Sequence, residues 1–252
     1  IARSLNIPAI SGISDIMSKA AHGNNIIIDG FTGDIILEPT EIEMAAYSEK
    51  RKAVDKREEE LKTYIGKDSV TMDGINISLF ANIKGPEDIN DVSDNDAEGI
   101  GLYRTEFLYM NRMNLPSEEE QFEAYKTVLE AAKDKPVIIR TLDIGGDKEL
   151  SYLNLPKESN PFLGERSIRF LLKNEEIFRT QLRALVRASE YGNLKVMFPM
   201  VTTLDEFNRS KALLIEEKEA YEAKNQKELN SIAAGIMVET PSAAMISDQL
   251  AK

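Results

Sequence analysis

Residues 117–140, SEEEQFEAYKTVLEAAKDKPVIIR, place a helix directly before a strand. Ser117 followed three residues later by Glu120 is the pattern of a capping box, which marks the first turn of a helix. Apolar side chains then recur at helical spacing, at Phe122, Tyr125, Val128, Leu129 and Ala132. The apolar run that follows, 136–140, is typical of a strand. The segment therefore predicts a helix with one buried face that leads into a buried strand.

The same alternation of strand and helix extends over residues 69–252. Strands are predicted at 75–82, 100–103, 136–140, 194–201 and 233–239. Further helices are predicted at 166–172 and 176–189, and one begins at a second capping box, Thr203 to Glu206. Such alternation predicts a parallel sheet with helices outside it, and both a doubly wound sheet and a (β/α)8 barrel fit. About five strands are visible where a complete barrel has eight, so a barrel would be partial.

The first 68 residues have a different pattern. A short strand is predicted at 8–12, a short helix at 15–21, and a hairpin from strands at 26–29 and 34–37 around Gly30-Phe-Thr-Gly33. One long helix is predicted from Glu41 to Ile65, where Pro and Gly are absent and Glu, Lys, Arg and Ala dominate. Its apolar residues form only a thin seam, which favours a helix bridging two domains over a coiled coil.

Composition excludes several classes of protein. The chain has 252 residues, 31 Lys and Arg against 43 Asp and Glu, and a net charge of −12. This acidic balance argues against a nucleic-acid-binding protein and against a polybasic membrane anchor. The chain contains no cysteine, which excludes disulfides, thiolate metal sites and a thiol nucleophile within these residues and makes a cytosolic location the default expectation. The sequence has no run of 18 apolar residues, so it offers no candidate for a membrane-spanning helix.

Candidate site residues follow the predicted strands, where chemistry collects in parallel α/β domains. Arg104 and Arg140 each end a strand, Arg166 begins a helix, and Glu239 follows the last strand. Arginines aimed at one place favour a bound anion, because the guanidinium binds phosphate and carboxylate in bidentate fashion. The backbone at Gly145-Gly146 could approach such an anion closely. One carboxylate facing these arginines suggests Mg²⁺, so the pattern indicates a small phosphorylated carboxylic acid bound with Mg²⁺.

Each of these residues also has a purely structural interpretation. An arginine at a strand end is commonly a surface ion pair, a Gly-Gly pair is commonly a loop, and Glu239 could cap the helix at Pro241. His22, the only histidine, lies in a polar turn and is predicted to be exposed without a catalytic role. Arg179, Arg183 and Arg187 recur every fourth residue and predict a solvated helix face. Met197 and Met200 are expected in the core.

Four segments resemble enzyme I of the bacterial phosphoenolpyruvate–sugar phosphotransferase system. They are GIGLYRTEFLYM (99–110), IIRTLDIGGDK (138–148), NPFLGERSIR (160–169) and GIMVETPSA (235–243). The opening IARSLNIPAISG (1–12) and IIIDGFTGDIILEP (26–39) resemble the phosphohistidine domain of the same family. The resemblance implies three parts: the end of a phosphohistidine domain (1–42), a linker helix (43–68) and the first strands of a phosphoenolpyruvate-binding (β/α)8 barrel (69–252).

The resemblance also implies an activity and site roles. The family transfers the phosphoryl group of phosphoenolpyruvate to its own histidine and then to the carrier protein HPr, and its barrel binds Mg²⁺ and forms a homodimer. Arg104, Arg140 and Arg166 would hold phosphoenolpyruvate, and Glu239 would be a Mg²⁺ ligand.

The family's phosphorylated histidine, its proton-donating cysteine and a second metal-binding stretch have no counterpart in this sequence. We therefore expect an internal piece of such an enzyme that is inactive alone. Two alternatives remain: a relative of pyruvate phosphate dikinase or phosphoenolpyruvate synthase, against which RTLDIGGDK speaks, and a non-catalytic chain.

Overall fold

The computed structural model describes residues 7–145, 150, 152–153 and 159–252. The chain divides into two compact units, residues 1–67 and 68–252. Each unit is described by itself below.

The first unit contains a hairpin and one long helix. After a short helix α1 (Ile16–Lys19), strands β1 (Ile26–Asp29) and β2 (Asp34–Leu37) pair antiparallel, as predicted. The strand predicted at 8–12 is wrong, because the described residues of this unit form a two-stranded sheet and residues 8–12 pair with neither strand. His22 is exposed, as predicted.

Helix α2 (Glu41–Lys62) begins at a capping box. The Thr40 hydroxyl accepts a hydrogen bond from the Glu43 backbone N–H, and the Glu43 carboxylate accepts one from the Thr40 N–H at 2.8 Å. The second bond is the main reason why the pKa of Glu43 lies below its ordinary value. No side chain of α2 is buried, so local propensity and capping define this helix within its unit.

The second unit is built on a five-stranded parallel sheet. Its strands are β3 (Phe80–Ile83), β4 (Gly99–Arg104), β5 (Pro136–Arg140), β6 (Asn193–Phe198) and β7 (Ala233–Ile236), and they adjoin in chain order. A doubly wound sheet needs a reversal of strand order, whereas a barrel adds each strand beside the last. The order β3-β4-β5-β6-β7 therefore decides between the two folds left open by the sequence, in favour of a partial (β/α)8 barrel.

Helices connect these strands. They are α3 (Ile89–Asp94), α4 (Glu118–Ala132), α5 (Ser167–Lys173), α6 (Glu175–Ala188) and α7 (Leu204–Asn225), followed after β7 by the short helices α8 (Pro241–Met245) and α9 (Ser247–Leu250). Both predicted capping boxes are present, at Ser117 of α4 and Thr203 of α7. The first predicted strand is shorter and later than expected: before Phe80 only an isolated bridge joins Val70 and Asn76.

The two faces of this sheet differ in burial. On the helix face, Tyr103 packs edge-on against Tyr125 of α4 and Phe198 packs against Phe178 of α6, with ring centroids 5.8 and 6.1 Å apart. The alternate residues of the same strands, such as Ile138 and Met197, point to the other face of the sheet and are only half-buried. Met197 and Met200, expected in the core, are thus both only partly covered. Among the described residues the helices cover one face of the sheet, as on the outside of a barrel.

Three arginines of α6 have partners that the sequence did not indicate. Arg179 pairs with Glu217 of α7 at 2.7 Å, while Arg183 and Arg187 pair with Glu118 of α4 at 2.9 and 2.8 Å. The predicted solvated face is therefore wrong: it lies between neighbouring helices, and the arginines join α6 to both. Helical spacing shows which residues share a face but not which element packs against that face.

Candidate functional site

The candidate site lies at the carboxyl ends of β4 and β5. Arg104 is the last residue of β4, Arg140 is the last of β5, and the two are direct partners in the parallel register. Registered residues of neighbouring parallel strands lie about 5 Å apart and point to the same face. The two arginines are therefore neighbours on one face of the sheet, at its carboxyl edge.

Arg104 has no carboxylate partner among the described residues. Its guanidinium carbon lies 5.1 Å from the centre of the Phe107 ring, and its buried Nε–H has no hydrogen-bond acceptor in the part of the chain that the structure describes. A buried donor without an acceptor costs about 1–3 kcal/mol. Arg104 is therefore a candidate for binding an anion.

Arg140 is buried and partly neutralised. Its Nη2 donates to Glu106 at 2.8 Å and lies 3.3 Å from Asp143, while its Nη1 approaches the Met237 sulfur at 3.4 Å. Met237 follows β7, so the side chain extends past β6, along the sheet face that the helices leave open. Like that of Arg104, the buried Nε–H of Arg140 has no acceptor within the described ranges.

Asp143 brings Arg166 to the same place. Its carboxylate accepts from Arg166 Nη2 at 3.1 Å and also hydrogen-bonds the Ser167 hydroxyl. Arg166 is the residue before α5, and its guanidinium lies 5.5 Å from the Phe162 ring centre. The structure therefore joins Arg140 and Arg166 through one carboxylate.

The backbone at Gly145 has a structural role here. Its φ is +108°, and a Cβ at this position would lie 2.6 Å from the Arg166 Cβ. Glycine is therefore required for the chain to pass this close to Arg166. Gly146, Asp147 and Lys148 lie outside the described residues.

Sequence reasoning missed Glu106 and Asp143. The argument that neighbouring arginines require a bound anion assumed that no protein carboxylate pairs with them. Arg140 and Arg166 do pair with carboxylates of the protein. The argument still applies to Arg104. The missed residues carry one signal: each lies two or three positions after a strand-end arginine, and buried charges are almost always paired.

Glu239 lies at the same edge of the sheet, three residues after β7. Its side chain is exposed, and Oε1 accepts from the Met200 backbone N–H at 2.7 Å. No lysine or arginine of the described residues pairs with it. Those residues contain no group of three side chains able to enclose a metal ion. An exposed carboxylate fits Mg²⁺, which takes one or two protein carboxylates and completes its shell with substrate and water oxygens.

A buried hydrogen-bond network lies behind the arginine pair. Gln181 of α6 donates to the Thr105 hydroxyl at 3.2 Å and to the Tyr125 hydroxyl at 3.1 Å, and it accepts from the Leu142 N–H at 2.9 Å. The Thr105 hydroxyl donates in turn to the Arg140 carbonyl at 2.8 Å. Burial raises the pKa of Tyr125, which keeps its hydroxyl protonated. This network connects the loops that follow β4 and β5.

No helix among the described residues is long and apolar enough to cross a membrane.

Comparison with known proteins identifies the family of the chain. Residues 58–252 match the family described as "PEP-utilising enzyme, PEP-binding domain", and residues 1–33 match "PEP-utilising enzyme, mobile domain". Over all 252 residues the chain is 53% identical to the phosphoenolpyruvate-protein phosphotransferase of Geobacillus stearothermophilus, 55% to that of Staphylococcus aureus (strain MRSA252) and 51% to that of Priestia megaterium. It spans 44% of the length of each of these relatives. The chain belongs to the family of PEP-utilising enzymes, and most of it is their phosphoenolpyruvate-binding domain.

Proposed function

We propose that this protein binds phosphoenolpyruvate as part of a phosphoenolpyruvate–protein phosphotransferase. The observation that carries the proposal is the registered pair Arg104 and Arg140, each with a buried Nε–H that has no acceptor among the described residues. Phosphoenolpyruvate has a phosphate and a carboxylate, and both are acceptors that arginine binds well. The names of the relatives support this substrate over other phosphorylated acids.

The three arginines would position the substrate and stabilise charge. In the proposed reaction the bond between phosphorus and the enol oxygen breaks, and phosphorus bonds to a histidine nitrogen. The enolate that leaves takes up a proton and becomes pyruvate. Arg104, Arg140 and Arg166 would hold the phosphate and carboxylate in place and stabilise the developing negative charge.

We propose that the histidine and the proton donor are not among these 252 residues. The chain contains no cysteine, and His22 lies exposed in a turn of the first unit. These residues alone are therefore expected to bind phosphoenolpyruvate without releasing pyruvate.

Glu239 is proposed as a ligand of Mg²⁺ that binds together with phosphoenolpyruvate. Its carboxylate is exposed and has no lysine or arginine partner among the residues that the structure describes, which supports this role. When bound, Mg²⁺ would neutralise charge on the substrate oxygens during phosphoryl transfer.

The wider assignments rest on similarity to the relatives. We propose that residues 1–42 are the end of a phosphohistidine domain, that residues 43–68 are a linker helix, and that the barrel forms a homodimer. The proposed acceptor of the phosphoryl group is the carrier protein HPr, in the first step of sugar uptake in the cytoplasm.

Isothermal titration calorimetry on the purified protein tests the substrate. With Mg²⁺ present, phosphoenolpyruvate should bind at least about tenfold more tightly than pyruvate or inorganic phosphate, because only phosphoenolpyruvate offers both anionic groups. Equal affinity for phosphate alone, or no binding of phosphoenolpyruvate, would contradict the proposal.

The metal role is tested by the same titration with and without Mg²⁺. Glu239→Gln should remove the increase in phosphoenolpyruvate affinity that Mg²⁺ produces. Glu228→Gln is the matched control, because it removes an exposed carboxylate before β7 rather than after it. An unchanged Mg²⁺ effect in Glu239→Gln would exclude Glu239 as a ligand.

A further inference from the structure

Gln181 is a buried glutamine whose amide is fully used. Its side chain is 0% exposed. Both Nε2 hydrogens are donated, to Thr105 and Tyr125, and Oε1 accepts from the Leu142 N–H. A backbone N–H can only donate, so the Leu142 bond fixes which end of the amide is oxygen.

The direction of every bond in this chain is therefore determined. The Thr105 hydroxyl accepts from Gln181, so its own hydrogen is available for the Arg140 carbonyl, to which it donates at 2.8 Å. Tyr125 likewise accepts from Gln181 and donates to Gln121 at 3.2 Å. No donor opposes another donor, which is the condition for a stable buried polar network.

The network acts on the backbone next to both strand-end arginines. Gln181 holds the N–H of Leu142 directly and the carbonyl of Arg140 through Thr105, so it fixes the chain on both sides of Thr141. Thr105 is also the residue after Arg104. Arg104 and Arg140 are the last registered pair of β4 and β5, so beyond them these side-chain bonds connect the two loops.

We propose that Gln181, acting through Thr105, is a positioning residue that sets the relative placement of Arg104 and Arg140 for phosphoenolpyruvate. The inference rests on the proposed function. Gln181 does not contact the substrate. Its effect is to keep the two guanidinium groups in one geometry before the substrate arrives, so that binding does not have to order them.

The chain provides a matched control in Gln121 of α4. Gln121 is also buried, at 1% exposure, and it accepts from the hydroxyls of Tyr109 and Tyr125 and donates to the Pro116 carbonyl. Gln121 meets the Gln181 network at the Tyr125 hydroxyl, but none of its partners adjoins Arg104 or Arg140 in the chain. Replacing either glutamine by leucine leaves buried polar groups without partners, so both variants should lose thermal stability.

The experiment compares Gln181→Leu, Gln121→Leu, Thr105→Val and Thr105→Ser in the purified protein. Thermal unfolding is followed by circular dichroism, and phosphoenolpyruvate affinity is measured by calorimetry well below the melting temperature. We expect Gln181→Leu and Thr105→Val to weaken phosphoenolpyruvate binding about tenfold, the effect of one lost hydrogen bond to a positioning group. Thr105→Ser, which keeps the hydroxyl, should restore affinity, and Gln121→Leu should lower the melting temperature with unchanged affinity.

Two results would overturn the positioning role. One is unchanged phosphoenolpyruvate affinity in Gln181→Leu or Thr105→Val despite a lowered melting temperature. The other is an equal loss of affinity in Gln121→Leu. If Gln181→Leu does not fold, Thr105→Val alone tests the positioning role. This variant replaces a hydroxyl by a methyl of similar size, so it should disturb folding less.

A second readout separates this inference from the proposed function. Without any ligand, the Nε–H resonances of Arg104 and Arg140 in ¹H–¹⁵N spectra should shift in Thr105→Val and stay in place in Gln121→Leu. If the unmodified protein fails to bind phosphoenolpyruvate, the proposed function is wrong, and these resonances still test whether the network positions the arginines. Unshifted resonances in Thr105→Val would show that it does not.

Discussion

The second unit contains two sets of three arginines that differ in how completely they are paired. The helix arginines are Arg179, Arg183 and Arg187 of α6. The edge arginines are Arg104, Arg140 and Arg166, at the carboxyl ends of the strands. Every helix arginine has at least two carboxylate oxygens within 3.5 Å, supplied mainly by neighbouring helices.

The edge arginines share fewer carboxylates. Among the described residues Arg140 has two carboxylate oxygens within 3.5 Å, from Glu106 and Asp143, Arg166 has one, from Asp143, and Arg104 has none. Complete pairing satisfies a cation within the protein and contributes to stability. Incomplete pairing at a strand end leaves hydrogen-bond donors for an anionic ligand. The same residue type therefore has two roles, and its partners distinguish them.

The largest expected effect is that of Arg140→Met, because Arg140 both pairs with two buried carboxylates and lies at the proposed binding site. Glu106 and Asp143 would lose a buried guanidinium, so the free energy of unfolding should fall by about 3 kcal/mol. Phosphoenolpyruvate binding should also be lost. Urea denaturation and calorimetry measure the two effects.

Arg140→Lys serves as the control for charge. Lysine keeps the positive charge but lacks the planar guanidinium with its paired N–H donors. Arg140→Lys should therefore recover part of the stability and little of the phosphoenolpyruvate affinity. A stable Arg140→Met variant that binds phosphoenolpyruvate normally would remove Arg140 from the site.

Arg104→Met should separate binding from stability. We expect phosphoenolpyruvate affinity to fall about tenfold to a hundredfold, the range for a hydrogen bond to a charged group. The melting temperature should not fall, since no described carboxylate loses a partner.

Arg187→Met should give the opposite result. Glu119 would lose its guanidinium partner, Glu118 would keep only Arg183 of its two, and the Phe122 ring would lose a cation 4.0 Å from its centre. Stability should fall by about 1 kcal/mol, while phosphoenolpyruvate affinity stays the same. If Arg104→Met and Arg187→Met each lost both stability and phosphoenolpyruvate affinity, the distinction between the two sets of arginines would be wrong.

The smallest expected effect concerns pH. Burial alone would raise the pKa of Glu118, but hydrogen bonds from Arg187 and Arg183 outweigh it and hold this pKa below the ordinary value of 4.5. A lowered pKa stabilises the folded state above that ordinary value, and the contribution disappears as pH falls through the folded-state pKa. The melting temperatures of the unmodified protein and Glu118→Gln should therefore differ most near neutral pH and converge below about pH 4.5.

Glu130→Gln removes a charge from the same helix without contacting an arginine, and it should show no such convergence. If the melting temperatures of the unmodified protein and Glu118→Gln differed by the same amount from pH 7 down to pH 3, the ion pairs of Glu118 would be excluded as the cause of that difference.

The sequence predicted the local features of the fold well. Capping boxes and apolar spacing depend on residues three or four apart, so the starts of α4 and α7 and the strand ending at Arg140 were all predicted correctly. The short strand at 8–12 failed because a strand requires a partner, and no local pattern shows that a partner is missing.

The candidate site was only partly predictable. Arg104 and Arg140 follow apolar runs, so their location at strand ends could be inferred. Two partners of Arg140 could not be inferred, because Glu106 and Met237 lie 34 and 97 residues away along the chain. Only the fold brings them together. The same limit explains why the helix arginines were predicted to be solvated: their spacing is local, but their partners on α4 and α7 are not.

The most direct test of this account observes the arginine side chains themselves. ¹H–¹⁵N spectra record the Nε–H groups during titration with phosphoenolpyruvate, with assignments from single Arg→Lys variants. The account predicts that the Nε–H resonances of Arg104 and Arg140 shift together and saturate at the same phosphoenolpyruvate concentration, while those of Arg179, Arg183 and Arg187 stay in place. Saturable shifts of the helix arginines with none at Arg104 and Arg140 would contradict it.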